Sequence, residues 1–344
     1  MIAGWRMVAA VLFIAGAVVL SPSGIADDRR ERSLKVDVDP IEIFRPSEPE
    51  KMRFGGLEFK GGVVLSSEDK AFGGLSGVRV LEDGRALIAV TDTGLWFRAG
   101  IERKGDGGIR AFTAARMGRV YSGHGSREKS VKFFIDAESI TFLEDRAFVA
   151  FEMINELAVY SAGSNPDFDR PVRLKSPPGF ADLHPNAGLE AIATGRDNTP
   201  LSGRLVVVSE RGKRRGDDAI GWVIDPEDSA GTKVLSFTIT LDGTYRVTDA
   251  DFLPNGDLLI LERGFSLGTG VEMRLRRFAA DTIRDGAELQ GSVLLEAGLS
   301  ERIDNMEGLS VYRNSEGETI VALLSDDNFS ILQRTIFLEF ALRD

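Results

Sequence analysis

Acidic residues end a series of short apolar runs along this chain of 344 residues. Carboxylates that a fold gathers at one place can hold a hard cation, and one of them can act as a general acid or base when crowding raises its pKa. The runs end at Asp92, Glu152, Glu210, Glu262 and Asp326. Their recurrence predicts both an internal repeat and a shared site.

A second segment of similar type precedes each acidic run. These earlier segments contain Ser76, Glu138, Glu190, Asp249 and Glu307, and both series repeat at spacings between 52 and 64 residues. A four-stranded propeller blade needs roughly 40 to 50 residues, and longer loops extend it. The spacing therefore predicts a β-propeller, in which equivalent residues of each blade gather near one mouth of the central channel.

The local pattern predicts an all-β chain. Short runs of Val, Ile, Leu and Phe alternate with turn clusters such as Glu82-Asp83-Gly84 and Pro254-Asn255-Gly256-Asp257. Five repeats leave an apolar segment at each end, within residues 57–65 and 335–340. Pairing of these N- and C-terminal strands would close a sixth blade and hide the open sheet edges. We expect six blades, with seven as an alternative; a β-sandwich array explains the regular period less well.

The N-terminal region differs from the rest of the chain. Residues 1–26 combine a basic start, an apolar run and small residues, which is typical of a cleaved signal peptide. A membrane anchor is the alternative, but a span needs roughly 20 apolar residues. Residues 27–53 are charged and rich in proline, which favours an extended lead-in. We expect residues 54–344 to form the propeller, and the protein to be periplasmic or secreted with no stable membrane span after cleavage.

The composition excludes several classes of function. The net charge of −11 argues against binding of nucleic acid. The absence of cysteine excludes disulfides, thiolate metal sites and a cysteine nucleophile, and two histidines are too few for a multi-histidine zinc site. Residues 264–268 match a nucleophile-elbow pattern, but a strand-like segment follows where the elbow requires a helix.

A ring of like charges is unfavourable unless protons or cations compensate it. Because all the candidate ligands are oxygens, we expect Ca²⁺ before Mg²⁺. The alternative is that each acid only caps a turn or pairs with a neighbouring arginine. The predicted metal ligands are Glu190, Glu262, Asn305, Glu307, Asp326, Asp327 and Asn328.

Several of these segments together resemble a bacterial phytase-like family described as having esterase-like activity. The resemblance extends over residues 54–342 and is carried by segments 188–192, 261–265, 304–308, 325–329 and 333–335. It implies a secreted or periplasmic β-propeller that hydrolyses a phosphoric or other ester. No catalytic role is carried over from the family to a particular residue.

The residues allow one catalytic hypothesis and one alternative. Glu210 or Glu307 would be the general acid or base, and Arg211, Lys213 and Arg263 would bind the phosphate of a small-molecule ester. Residues 211–215 can equally form a solvated loop. The alternative function is a non-catalytic propeller whose acidic mouth binds a cation, a sugar or a protein.

Overall fold

The computed structural model describes residues 31–123, 136–162, 168–184, 186–214, 216–228, 231 and 234–343. The predicted signal peptide lies outside these residues. The described residues form strands and the short 3-10 helices Glu82–Gly84, Phe180–Asp182 and Ala280–Thr282, without an α-helix. None of these helices is long and apolar enough to cross a membrane.

Twenty-four strands follow one another in the described residues. The first twelve are β1 (Arg32–Ser33), β2 (Asp37–Ile41), β3 (Arg53–Phe54), β4 (Leu57–Ser66), β5 (Leu75–Leu81), β6 (Ala86–Thr91), β7 (Leu95–Arg103), β8 (Ile109–Arg119), β9 (Ala137–Leu143), β10 (Arg146–Phe151), β11 (Glu156–Ser161) and β12 (Val172–Arg173). The others are β13 (Leu189–Thr194), β14 (Leu205–Ser209), β15 (Ala219–Ile224), β16 (Val234–Ile239), β17 (Arg246–Phe252), β18 (Leu258–Ser266), β19 (Gly270–Phe278), β20 (Glu288–Leu289), β21 (Ser292–Ala297), β22 (Asn305–Arg313), β23 (Thr319–Asp326) and β24 (Thr335–Leu342).

The strands form five antiparallel sheets, apart from a parallel pairing of β16 with β20. From the inner to the outer strand the sheets run β5-β6-β7-β8-β1, β9-β10-β11-β12, β13-β14-β15-β16-β20, β17-β18-β19-β21 and β22-β23-β24-β4-β2, with β3 also on β4. The first strands β5, β9, β13, β17 and β22 contact one another in a closed ring. Each sheet is therefore one blade of a β-propeller.

The propeller has five blades, so the expectations of six and of seven are wrong. The predicted pairing of the chain ends is present, because β24 and β4 pair over eight residues from Leu57 to Leu65. These two strands complete the blade that β22 and β23 begin and do not form a separate one. Each repeated pair of segments marks only the two inner strands of a blade, and the fifth pair takes its outer strands from the chain ends.

The continuous apolar runs in the sequence are strands buried on both faces. In β6 and β14 every residue is buried, because each lies between two neighbouring strands and is covered by the sheets on either side. Five apolar clusters fill the spaces between adjacent sheets. Hairpins join the strands at the expected turns; Gly256, for example, has a φ of 91° between β17 and β18, which is a conformation that glycine adopts without strain.

The predicted lead-in is partly packed onto the propeller. Strands β1 and β2 form outer edges of two sheets. Phe44 is buried against Phe54, Phe59 and Phe340, with ring centroids 4.9 to 5.4 Å apart. These contacts attach the segment before β3 to the blade that joins both ends of the chain.

Arg79 crosses the central channel and ties the inner strands together. Its guanidinium donates hydrogen bonds to the carbonyls of Ile192, Ala250 and Leu309 at 2.6 to 2.9 Å and to the carboxylate of Asp249 at 3.0 Å. The two charged side chains are almost fully buried. This network fixes β5, β13, β17 and β22 relative to one another, and with them the residues at the channel mouth.

Candidate carboxylate site at the propeller mouth

Every inner strand has a register irregularity at the same place. Ala137 pairs with Phe151 and Ser139 with Ala150, so Glu138 has no opposite residue. Such a β-bulge bends the strand and redirects the side chain of the extra residue. The extra residues are Glu138, Glu190, Thr248 and Glu307, and Ser76 with Gly77 occupies this place in β5. The bulges therefore present a glutamate in three of the five blades.

A second set of residues lies at the end of the next strand in each blade. The N–H groups of Asp92, Glu152 and Glu210 donate to the carbonyl of the residue before the neighbouring inner strand, at 2.9 to 3.1 Å. By strand register, Arg263 and Asp326 hold this place in the other two blades. The strand ends therefore carry four acids and one arginine.

The bulge glutamates and the strand-end acids lie close enough to change one another's ionisation. Burial raises the pKa of Glu138 well above its usual range, and the charges of Asp136, Glu307, Glu152 and Asp92 raise it further. Both desolvation and like charge oppose loss of the proton. The predicted gathering of carboxylates from several repeats is therefore present in the fold.

Glu190 is in a similar environment. Burial raises its pKa well above the usual range, and Glu152, Glu138, Glu210 and Glu307 add to this effect. A hydrogen bond joins the Glu190 and Glu152 side chains. Because two ionised carboxylates cannot share a hydrogen bond, Glu190 is the proton donor of this pair.

Three other acids also have raised pKa values. Burial and the charge of Asp136 raise the pKa of Glu152 to about 7. Burial and Glu307 raise the pKa of Asp326 to about 8, although its carboxylate accepts a hydrogen bond of 2.7 Å from the Asn328 N–H. Burial raises the pKa of Glu210, against the opposing charge of Arg211. The mouth therefore exchanges protons near neutral pH.

Asp136, Glu138 and Glu152 can converge on one cation, since one oxygen of each lies within 4.8 Å of the others. Glu138 is 9% exposed and makes no hydrogen bond or ion pair with the described residues. A crowded, oxygen-only donor set of this kind suits a hard ion such as Ca²⁺. The donor chemistry and the carboxylate without a hydrogen-bond donor both fit the predicted ion.

Arginines lie beside two of the acids at the mouth. The Arg263 Nε lies 3.5 Å from a Glu307 oxygen, and the Arg211 Nε lies 3.6 Å from Glu210. Arg263 and Arg246 also oppose the rise in the Glu210 pKa. The site thus combines acids of the first, second, third and fifth blades with arginines of the third and fourth.

The structure brings some of the predicted metal ligands together and leaves others apart. Glu190, Glu307 and Asp326 belong to the carboxylate cluster. Asn305 donates a hydrogen bond of 2.7 Å to Glu307 and so supports this side chain.

Asp327 and Asn328 organise the loop after β23. The Asp327 carboxylate accepts hydrogen bonds from the N–H groups of Gly74 and Phe329 and from the Thr335 hydroxyl, at 3.0 to 3.2 Å. Asn328 contributes its backbone N–H to Asp326. Both residues shape the boundary of the cluster.

Glu262 is not brought to the cluster. Its carboxylate is fully buried and bonds to Arg274 at 2.7 Å and to Arg276. Arg263, the next residue, points to the mouth, because successive side chains of a strand alternate between its faces. The bulge in β17 shifts the pairing by one residue and gives the strand-end position to Arg263. Asp249, likewise, is one residue beyond the bulge and binds Arg79 in the channel.

Lys213 pairs with Asp182 at 2.9 Å, and both side chains are more than half exposed. The phosphate contact of Lys213 stays a prediction. Arg211 and Arg263 lie at the mouth beside Glu210 and Glu307, and their role in substrate binding also stays a prediction.

Glu138 and Glu152 belong to the two repeated series but were not among the predicted metal ligands. Two further members of the site were in neither series. Asp136 precedes β9 and has a carboxylate beside Glu138, and Arg246 lies opposite Arg263. Asp136 and Glu138 are two residues apart, which is the spacing of neighbours on one face of a strand. This spacing was the signal in the sequence that could have identified Asp136. For Arg246 the sequence offers no comparable signal, since its relevance depends on the register between β17 and β18.

Comparisons with solved structures give distant similarities. A Myxococcus xanthus glutaminyl cyclase is 13% identical, with 79% of this chain and 92% of that chain covered and a TM-score of 0.41. A putative 6-phosphogluconolactonase from Bacteroides uniformis is 12% identical, with coverages of 85% and 78% and a TM-score of 0.33. No curated protein matches the chain.

A family model also matches most of the chain. The model that matches is described as phytase-like, with esterase-like activity of phytase, and it spans residues 70–329. This range contains every acid of the mouth and the three arginines beside it. The chain belongs to the phytase-like family.

Proposed function

We propose that this protein is an exported hydrolase that cleaves an ester of a small molecule, specifically a phosphoester, at the carboxylate mouth. One observation carries the proposal: crowded carboxylates with raised pKa values lie beside arginines at one mouth of the propeller. Acids able to transfer protons near pH 7 and cations able to bind a phosphate are the groups that this reaction requires. Membership of the phytase-like family supports the same class of reaction.

A calcium ion would be held by Asp136, Glu138 and Glu152, whose oxygens lie within 4.8 Å of one another. Glu190, Glu307 and Asp326 would contribute negative charge around it. When bound, the ion would neutralise charge that develops on the phosphoryl oxygens and make a bound water more acidic. This assignment moves the centre of the predicted metal site to the second blade.

Glu210 is the best general base of the mouth. Burial raises its pKa, but the charges of Arg211, Arg263 and Arg246 limit this rise and favour the ionised form, which would accept the proton of the attacking water. Glu307, which lies beside Arg263 and accepts a hydrogen bond from Asn305, is the second candidate. The water oxygen forms the new bond to phosphorus as its proton passes to the base.

Glu190 is suited to the opposite role. Burial and the neighbouring carboxylates raise its pKa and so favour the protonated form, and it already donates a hydrogen bond to Glu152. It can therefore protonate the ester oxygen as the bond from phosphorus to that oxygen breaks. The products are an alcohol and a phosphate, which leave Glu190 ionised and Glu210 protonated before the two groups exchange protons with solvent.

Arg263 and Arg211 would bind the phosphate oxygens through charge-assisted hydrogen bonds. The Arg263 Nε is buried and makes no hydrogen bond in the described structure, although it lies near Glu307. The Arg263 side chain as a whole is 36% exposed, so an incoming anion would approach its exposed part. Export of the enzyme is part of the proposal and depends on the signal-peptide pattern of residues 1–26.

A substrate panel tests the proposal. Protein treated with a chelator would be assayed on p-nitrophenyl phosphate, phytate and p-nitrophenyl acetate with and without added calcium. We expect calcium-dependent turnover of a phosphoester and a fall of about a hundredfold or more in kcat for Glu210→Gln. The exposed Glu288→Gln in β20 is the matched control. Absence of turnover on all three substrates with calcium present would contradict the hydrolase proposal.

The alternative, a non-catalytic propeller that binds a cation, is favoured by one observation. Glu138 is 9% exposed, which suits a ligand of a permanently bound ion better than a group that meets substrate. Calcium-dependent stabilisation with no turnover on the panel would favour this alternative.

A further inference from the structure

Apolar side chains are exposed on three loops at the carboxylate end of the propeller. We call them the apolar rim: Phe265, Leu267, Leu299, Phe329, Ile331 and Leu332. Ile331 is fully exposed, and Leu267, Leu332 and Leu299 are 91%, 87% and 78% exposed. These four are the most exposed large apolar side chains of the described residues. Single exposed apolar residues are common, but a concentration of them in one region indicates an interaction surface.

The three loops are neighbours in space. Leu299, in the loop between β21 and β22, packs over Gly270 at the tip of the β18–β19 hairpin. Further along the same loop, Asp304 accepts a hydrogen bond of 3.2 Å from the N–H of Arg334. Arg334 belongs to the loop between β23 and β24, which carries Phe329, Ile331 and Leu332. The middle loop therefore connects the other two into one surface.

This surface adjoins the site. The Phe329 ring contacts Gly73 and Gly74 at the start of β5. Asp326, a member of the carboxylate cluster, directly precedes the loop that carries Phe329. On the other side, Arg263 is two residues from Phe265 in β18. A partner that covers the apolar rim therefore also faces the mouth.

The tips of two of these loops carry no ionised side chains. Residues 265–269 and 329–333 contain only apolar residues, glycine, serine, threonine and glutamine, whereas Leu299 in the middle loop is followed by Ser300, Glu301 and Arg302. Burial of the two uncharged tips in an apolar medium would desolvate no charge, which is the costly step for ordinary surface loops. The whole chain, in contrast, has a net charge of −11. A strongly anionic surface would therefore repel the protein.

We infer that the apolar rim docks on a lipid surface with zwitterionic headgroups. The aliphatic side chains enter the boundary between headgroups and acyl chains, and the uncharged tips lie at headgroup level. Docking does not depend on the hydrolase proposal. Only its consequence rests on that proposed function, namely that the ester reaching the mouth belongs to an amphiphile held in the lipid surface.

Vesicle flotation with the full chain tests the docking. We expect the protein to float with phosphatidylcholine vesicles, and to float less with phosphatidylglycerol vesicles at low salt because of its negative charge. The variants Leu267→Ser and Ile331→Ser are each expected to weaken partitioning about tenfold, since each removes one large apolar side chain from the contact. Both residues are exposed, so the melting temperature should stay close to that of the unmodified protein.

Val172→Ser is the matched control. Val172 is 68% exposed on β12, in another blade, and its replacement should leave flotation unchanged. Absence of flotation with phosphatidylcholine, or an equal loss for Val172→Ser, would overturn the proposal. A dimer in sedimentation that Ile331→Ser dissociates, without flotation, would assign the surface to a second copy of the chain and also overturn it.

Two further measurements separate docking from catalysis. Flotation in the presence of a chelator detects docking without turnover, and Glu210→Gln should float as the unmodified protein does. Flotation without hydrolysis of any tested ester would support docking and contradict the proposed function. Saturable binding of a monomeric amphiphile without flotation would show that the rim receives only a substrate tail, which overturns docking on a surface.

Discussion

Arg263 approaches Glu307 to 3.5 Å at the mouth of the propeller, where it holds the place that an acid occupies in the other four blades. This single replacement brings a positive charge among the acids of the mouth. Burial raises the pKa of both Glu307 and Glu210, and Arg263 opposes this rise. It therefore favours the ionised form of these two acids.

Replacement of Arg263 should affect binding and proton transfer together. For Arg263→Gln we expect kcat/KM on a phosphoester to fall about tenfold to a hundredfold, because a hydrogen bond to a charged group is lost. The pKa values of Glu210 and Glu307 should rise, so the pH at which the base ionises, and at which activity appears, should move upward. A pH profile of kcat/KM measures both effects. Arg116→Gln, at an exposed ion pair with Glu31 on the outer edge of the first blade, should change neither.

Calcium should stabilise the folded protein. At a concentration of about 100 times its dissociation constant, a ligand of the native state adds about 2.7 kcal/mol, which predicts a rise of a few degrees in the melting temperature. Glu138→Gln should remove this rise, since Glu138 is one of the three converging acids. Without calcium, the same variant should melt at or above the temperature of the unmodified protein, because it removes a carboxyl group whose ionisation burial and the neighbouring acids oppose. A calcium response that survives in Glu138→Gln would contradict the site.

The stability of the metal-free protein should fall between about pH 5 and pH 8. Burial and like charges raise the pKa of Glu152 from 4.5 to about 7 and that of Asp326 from 3.8 to about 8. Within these windows the folded state holds more protons than the unfolded state, so the free energy of unfolding decreases as the pH rises. The shift of Glu152 alone corresponds to a loss on the order of 3 kcal/mol.

Urea unfolding of chelated protein at pH 5, 6, 7 and 8 measures this dependence. Glu152→Gln should flatten it, and calcium added at pH 8 should restore stability. A free energy of unfolding that increases steadily over this range would show that the acids of the mouth are not mutually repelled.

The sequence predicted the architecture better than the register. The repeat predicted the propeller. It also predicted that Glu138, Glu190 and Glu307 lie close together, because equivalent strands meet at one mouth. It could not reveal the bulges, since an extra residue leaves no trace in an apolar run. In the fourth blade the extra residue of the bulge shifts the register by one, so that Arg263 lies at the mouth where the pattern predicted Glu262. The prediction of six blades was wrong for a related reason. The repeat reveals pairs of strands, but only the hydrogen-bond pattern shows that β24 and β4 belong to the sheet of β22 and β23.

Glu262 should therefore stabilise the fold without binding the cation. Its carboxylate neutralises Arg274 and Arg276 in a buried network, and removal of one partner from a buried ion pair costs about 3 to 5 kcal/mol. Glu262→Gln should lower the free energy of unfolding by roughly this amount and leave the calcium-dependent rise in melting temperature intact. Glu288→Gln, exposed on β20, is the control. If Glu262→Gln abolished the calcium response at little cost in stability, Glu262 would be a ligand, as the sequence pattern predicted.

The buried network around Arg79 should stabilise the fold. A double variant can measure how much of this stability comes from the pairing of Arg79 with Asp249. Arg79→Met removes the buried cation that faces Asp249, whose pKa burial already raises to about 6. The single variant should lose about 3 to 5 kcal/mol of stability because Asp249 is left as an uncompensated buried charge. Arg79→Met combined with Asp249→Asn should recover part of this loss, since no charge remains, while the carbonyls of Ile192, Ala250 and Leu309 still lack their donor. Urea unfolding of the four proteins of this cycle gives the coupling energy directly. If Arg79→Met alone were as stable as the double variant, Arg79 would stabilise the fold only through its contacts with the backbone carbonyls. Its pairing with Asp249 would then not hold the inner strands together.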